Sequence, residues 1–259
     1  MIELFYSQLF FLLPAAFFAG LVDSMVGGGG LIQVPALFSA FTNTAPATLF
    51  GTNKLSSLGG SLMAASRYLR VVRLPKKEFL IASIFALAGS FLGAFALSFV
   101  PATYIRVLLP FLLIALLAFT LAKKDMGLVH DPKLGNLRAT LFLTLGVGAI
   151  GFYDGFFGPG TGSFFMFLFV HYLGFDFLHG AAATKIVNSV TNFAALLWFI
   201  PTGHINWTLA FLMFGFNVLG GLVGSNFAMK KGSQLIRKVF IGLVLVLVIK
   251  TANDAFHLF

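Results

Sequence analysis

The 259 residues include no cysteine. Disulfides, thiolate metal sites and cysteine nucleophiles are therefore excluded. Charge is also scarce: Asp, Glu, Lys and Arg make up 10% of the chain, and only 8 residues are acidic. A soluble domain of this size needs far more charge to cover its surface. No stretch matches GxxxxGK[ST], so ATP-driven transport would need a second chain. The histidines His171, His179 and His204 lack metal-ligand spacing and a nucleophile–base arrangement, so they are placed in loops or at an interface. The reading is no enzyme, no catalytic residue, no metal and no cofactor.

What the chain does have is apolar length. Hydrophobic residues make up 59% of it, with 34 phenylalanines, and long apolar runs cover 79–100, 107–122, 139–152 and 239–249. This pattern gives an all-α polytopic membrane protein in contact with the lipid bilayer. The formal charge of +9 falls mostly in three basic clusters, at 67–77, 123–138 and 230–238. Short basic loops between apolar runs mark the cytoplasmic side, so the charge argues for membrane orientation and against nucleic acid. The opening "MIELFYSQLFFLLPAAFFAG" lacks a basic leader and reads as an uncleaved first span.

A shift of 131 residues aligns the chain with itself without a gap. Gly20 falls on Gly151, Asp23 on Asp154, Gly27 on Gly158, Gly29 on Gly160 and Lys54 on Lys185. Gly89 and Gly93 fall on Gly220 and Gly224, and Ile105-Arg106 on Ile236-Arg237. The Asp and Lys matches carry most weight, because those residue types are rare in apolar segments. Two repeats follow, 1–122 and 139–259, joined by the basic linker 123–138. Loop charge sets their orientation. The loop at 67–77 is basic while its counterpart "WFIPTGHINW" at 198–207 has no Lys or Arg, and "FVPATYIR" at 99–106 is poor in charge while 230–238 is basic. Equivalent loops then lie on opposite sides, so the repeats are inverted, with 67–77, 123–138 and 230–238 cytoplasmic and both termini outside. Inverted repeats are typical of secondary transporters, whose site lies near the midplane. Expected spans are 47–69, 77–99 and 103–122, with counterparts 178–200, 208–229 and 234–253. Each repeat starts with a further helix, such as 8–26, followed by a short apolar piece, 31–41 or 162–175, that is re-entrant or a tilted span.

Between those pieces lie "GLVDSMVGGGG" and "GFYDGFFGPGTG". Glycine runs and Pro159 interrupt a helix, and lipid cannot satisfy the backbone groups that an interruption exposes. Such breaks belong against protein or a wet cavity. The expectation is broken helices whose N–H groups, free at the segment starting near Leu31, aim at an anion with the positive helix end. Gly28, Gly29, Gly30, Gly160, Thr161 and Gly162 are the candidates. Close helix packing through small residues is the plainer alternative.

Lys54 lies eight residues after Pro46, about 12 Å into a helix. Lys185 lies at similar depth after an N-cap at Asp176. A buried ammonium needs a partner. An ion pair of Lys54 with Asp23 and of Lys185 with Asp154 is one arrangement; capture of a substrate anion is another. The two coexist if an acid holds the lysine until the anion arrives. Thr52, Asn53 and Ser57 beside the first lysine, and Thr184, Asn188 and Asn192 beside the second, form a hydrogen-bonding stripe in each repeat. Asp23 and Asp154 are candidates for ion pairing or for binding a coupling proton or cation.

At these motifs the chain resembles the TauE/SafE family, the toluene sulfonate uptake permeases. The resemblance is carried by "GLVDSMVGGGGLIQVPAL", "GTNKLSS", "GFYDGFFGPGTGSF" and "AAATKIVNSVTN", and "GFYDGFFGP" looks most like the YfcA-type bacterial members. It implies a bacterial cytoplasmic membrane permease for sulfite, sulfonates or related sulfur-containing anions. The family's glycine turn maps onto Gly27–Gly30 and Gly158–Gly162. Its polar-lysine segment maps onto Thr52, Asn53 and Lys54 and onto Thr184 and Lys185. Ala183 replaces the first repeat's Thr52, so the half-sites differ. The expected function is a secondary transporter of small anions by alternating access, with an anion channel at the same site as the alternative.

Overall fold

A computed structural model describes the backbone of residues 2–101, 104, 131 and 137–256, and the side chains of 8–101, 104, 131 and 140–231. All but residue 104 of the expected span at 103–122, most of the linker at 123–138 and the side chains of 234–253 lie outside the described residues. Within them, every regular element is helical. The order is α1 (Ile2–Val26), α2 (Gly30–Ala40), α3 (Pro46–Tyr68), α4 (Lys76–Leu97), α5 (Leu137–Phe156), α6 (Thr161–Phe167), α7 (Phe177–Phe199) and α8 (Trp207–Phe256). A short π-helical turn, Leu168–Tyr172, extends α6.

Local sequence accounts for the boundaries. Pro46 opens α3, where its missing N–H costs no hydrogen bond. Asp176 caps α7, its Oδ1 accepting from His179 N–H at 2.8 Å. Gln8–Val26, Lys76–Leu97 and Trp207–Lys231 are each long and apolar enough to cross a membrane. Their outward faces carry exposed Phe10, Leu80, Ile84, Phe211 and Leu219, as lipid contact requires. By contrast α3 and α7 are 23 residues each, more polar, and largely buried among the other helices. Protein surrounds them, so their polar residues need not face lipid.

One boundary departs from expectation. The basic stretch 230–238 is not a loop: α8 runs unbroken for 50 residues. "KKGSQLIRK" holds no proline, and Lys, Gln, Leu and Arg are good helix formers; Gly232 alone costs about 1 kcal/mol. A helix of that length reaches about 75 Å, more than twice the thickness of a bilayer core. Within it, Trp207–Lys231 is long and apolar enough to cross a membrane.

Packing is closest between α1 and α8 and between α4 and α5. Glycines make both contacts, at matched places. A Cβ on Gly20 would strike the carbonyl of Asn217, and one on Gly151 that of Ala86. Gly89 lies on the carbonyl of Gly148, and Gly220 on that of Phe17. Gly93 lies on Phe152, and Gly224 on Leu21. In each case the two partners also differ by the shift that aligns the sequence with itself. The central helices α3 and α7 pack on each other, and Asn192 Nδ2 reaches Ser61 Oγ, its matched residue, at 3.5 Å.

Candidate functional site

Two interruptions meet at the centre of the fold. The first runs from the end of α1 at Val26 to the start of α2 at Gly30, and the second from Phe156 to Thr161. Gly27 has φ +81°, and Gly158 and Gly160 have φ +91° and +82°, values that disfavour any residue with a Cβ. Gly27 and Gly162 touch, and a Cβ on either would collide with the backbone of the other. Tyr153 fastens the second turn by donating its hydroxyl to the Pro159 carbonyl at 2.8 Å.

The first-turn amides at these breaks are less free than expected. Leu31 N–H donates to Gly28 O at 3.1 Å, and Ile32 N–H and Gln33 N–H both donate to Gly29 O at 3.0 Å. At the second break Thr161 N–H donates to Gly158 O, and Ser163 and Phe164 N–H to Gly160 O. The tight turns bring glycine carbonyls within reach of these donors. Gly29 N–H instead donates to Asp23 Oδ1 at 3.3 Å. An acidic side chain of the chain itself thus holds an anion position at a helix start.

Charge pairing differs from the expected pattern. Lys54 Nζ lies 2.8 Å from Asp154 Oδ2, and Lys185 Nζ lies 2.7 Å from Asp23 Oδ2. Each lysine therefore pairs with the acid matched to the other lysine, not with the acid preceding it. The contact between α3 and α7 sends each lysine across the centre. Glycine leaves the room: a Cβ on Gly158 would sit 3.2 Å from Lys54 Nζ. All four side chains are almost wholly buried, the most exposed being Asp23 at 11%.

A small cavity of about 20 Å³ opens where these groups meet. That is room for about one water-sized group. Of the residues singled out in the sequence, Asp23, Gly30, Asn53, Lys54, Ser57, Asp154, Gly160, Thr161, Gly162, Asn188 and Asn192 line it. Gly28, Gly29, Thr52, Thr184 and Lys185 do not. Thr52 is committed elsewhere, donating to Thr48 O at 2.6 Å and accepting from Asn206 N–H at 3.0 Å. Lys185 reaches the cavity only through Asp23. Gly27 and Gly158, the first residues of the two glycine turns and not counted among the anion-binding candidates, also line it. Their matched positions were the available signal, since two glycines at one offset beside a buried acid indicate a shared turn. Asn53 Oδ1 is buried there without a hydrogen-bond partner.

Residues 12–251 match the family described as Sulfite exporter TauE/SafE. The chain belongs to the TauE/SafE family. It is 41% identical to a probable membrane transporter protein of Sinorhizobium, ORF9, over 98% of this chain and 96% of that one. The probable membrane transporter YfcA of Escherichia coli K12 is 36% identical, over 93% of this chain and 88% of its own. A probable membrane transporter of Haemophilus influenzae is 34% identical, with 92% of each chain covered. No solved structure matches the chain. This TauE/SafE protein is a membrane transporter and not an enzyme, and the buried lysines, acids and glycine turns are the polar centre of its apolar fold.

Proposed function

We propose that this protein is a secondary transporter of small anions, namely sulfite, sulfonates or related sulfur-containing anions, in the bacterial cytoplasmic membrane. The carrying observation is the central cavity, where Lys54 meets Asn53, Ser57, Asn188 and Asn192 between two glycine turns. An ammonium and neutral amide and hydroxyl donors suit the oxygens of a small oxyanion, which the closed, water-sized cavity admits only once the two turns part. In this reading Lys54, Asn53, Ser57, Asn188 and Asn192 contact the anion, with Gly30, Gly160, Thr161 and Gly162 shaping the turns around it. Lys185, Gly28, Gly29, Thr52 and Thr184 support these groups from behind.

The chain is built from two inverted repeats, 1–122 and 139–259, linked by 123–138. Broken helices at Gly27–Gly29 and Phe157–Gly160 meet at the midplane. The matched glycine contacts between α1 and α8 and between α4 and α5 support this arrangement. So do the crossed ion pairs, which equal each other under the same shift. Movement of one repeat against the other then exposes the site to each side in turn. The basic segments 67–77, 123–138 and 230–238 face the cytoplasm and the N-terminus faces outward; because α8 is unbroken from Trp207 to Phe256, its far end lies on the cytoplasmic side rather than outside as expected. The cavity's small size and the ion pairs that close it favour a carrier over an open anion channel.

Liposomes containing the purified protein test this reading. Uptake of sulfite, thiosulfate or an organosulfonate should saturate and should be blocked by excess unlabelled anion. Non-saturating conductance with single-channel steps would favour the channel. No anion flux from a folded protein would overturn anion transport.

A further inference from the structure

The two ion pairs are not equally held. Both Asp23 oxygens have donors: Lys185 Nζ at 2.7 Å on Oδ2 and Gly29 N–H at 3.3 Å on Oδ1. Lys185 is wholly buried and away from the cavity. Asp154 is held differently. Its Oδ2 lies 2.8 Å from Lys54 Nζ, and among the described residues no second donor comparable to the Gly29 N–H on Asp23 reaches it. Lys54 and Asp154 both line the cavity, and beside them Asn53 Oδ1 has no partner. Asp23 thus has a second donor and a lysine set back from the cavity, whereas Lys54 and Asp154 both face it.

Among the described residues the buried charges sum to zero, with two ammonium groups and two carboxylates. An entering monoanion competes with Asp154 for the charge and donors of Lys54. A carboxylate left unpaired in a buried site escapes the cost of its charge by taking a proton. Among the described residues, few charged groups face Asp154. Lys54 comes from α3 and Asp23 from α1, with Lys185 of α7 behind Asp23. The buried face of α4, which packs on α5, is Phe79, Ala82, Ala86, Ser90, Gly93, Ala94 and Leu97 and holds no titratable group. The buried residues of α6 include none either. Tyr153, next to Asp154, spends its hydroxyl on Pro159 O.

We propose that Asp154 carries the proton in a one-to-one anion–proton cotransport, giving up Lys54 to the anion as it takes up that proton. The inference rests on the anion-transport reading above. On loading, the ammonium of Lys54 neutralises the anion and Asp154 becomes a neutral acid. On release, the anion leaves, the proton leaves Asp154, and the ion pair closes again. One negative and one positive charge cross together, so turnover moves no net charge.

The test uses the full-length protein in liposomes with methanesulfonate, a monoanion whose own acid is too strong to deliver the proton. Uptake should ignore an imposed potassium diffusion potential, should be driven by a proton gradient, and should carry one proton per anion. Below saturation, apparent anion affinity should rise by up to about tenfold per unit fall in pH, the limit for one linked proton. Asp154→Asn, a fixed neutral mimic, should keep anion exchange but lose its pH dependence and its proton flux. Asp23→Asn should keep the pH dependence. Uptake that moves net charge, or anion flux without protons, would overturn the proposal. So would pH dependence retained by Asp154→Asn or abolished by Asp23→Asn. If a variant fails to fold, the wild-type proton-to-anion ratio still decides. No flux of methanesulfonate or of any larger sulfonate would sink anion transport itself, and the inference with it.

Discussion

Single side chains decide the centre of this protein because so few of them are charged. Removing Lys54 alone strands Asp154 in a site where both groups are about 97–98% buried. Breaking such a pair from one side costs about 3–5 kcal/mol, far more than removing both partners. Lys54→Met should therefore lower the thermal unfolding temperature sharply in detergent, while Lys54→Met with Asp154→Asn should recover most of the loss. Equal destabilisation by the single and double variants would mean that the two residues are not coupled. The four charged residues were legible in the sequence, since an acid or a lysine in an apolar segment demands an interior partner. Their pairing was not. It depends on how α3 crosses α7, and no local pattern encodes a crossing. Thr52 shows the same limit: it shares a stretch with Lys54, yet its hydroxyl ties the helix to the backbone at Asn206.

At the scale of elements, the glycine turns carry the architecture. Gly27 adopts φ +81° and touches Gly162. Gly27→Ala should cost at least about 1–3 kcal/mol through backbone strain, with a further loss as the two turns are forced apart. Gly215 is a built-in control. It lies exposed within α8, and a Cβ there meets nothing within 4 Å. Gly215→Ala should be neutral or stabilising by about 0.5–1 kcal/mol. Thermal unfolding of the two variants side by side checks both, and similar losses would remove the special role of the turn. The helix starts at Pro46 and after Asp176 were readable from capping chemistry, as was the stop at the GGGG run. The continuity of α8 through 230–238 was not, because a basic cluster without proline reads as a loop yet is also made of good helix formers.

At the scale of the molecule, the proposed inverted repeats would place equivalent loops on opposite faces of the membrane. The absence of native cysteine makes this simple to measure, since each introduced thiol is the only one. Val71 and Pro201 are both exposed and sit in equivalent loops. In oriented cells, a membrane-impermeant maleimide should label Pro201→Cys from outside and Val71→Cys only after permeabilisation. Labelling of both from the same side would end the inverted arrangement. The repeat itself was visible in the sequence as a fixed shift, because Asp and Lys recur where chance would rarely put them. The contact between the two glycine turns was not, because it joins segments far apart in the chain.

The most direct measurement is equilibrium binding of a sulfonate to the purified protein and to the Lys54→Met, Asp154→Asn double variant, which removes the exchangeable pair without leaving a buried charge. The wild type should bind saturably, and the folded double variant should lose at least about tenfold in affinity, the equivalent of about 1.4 kcal/mol. Unchanged affinity in a folded double variant would show that the anion does not sit at Lys54.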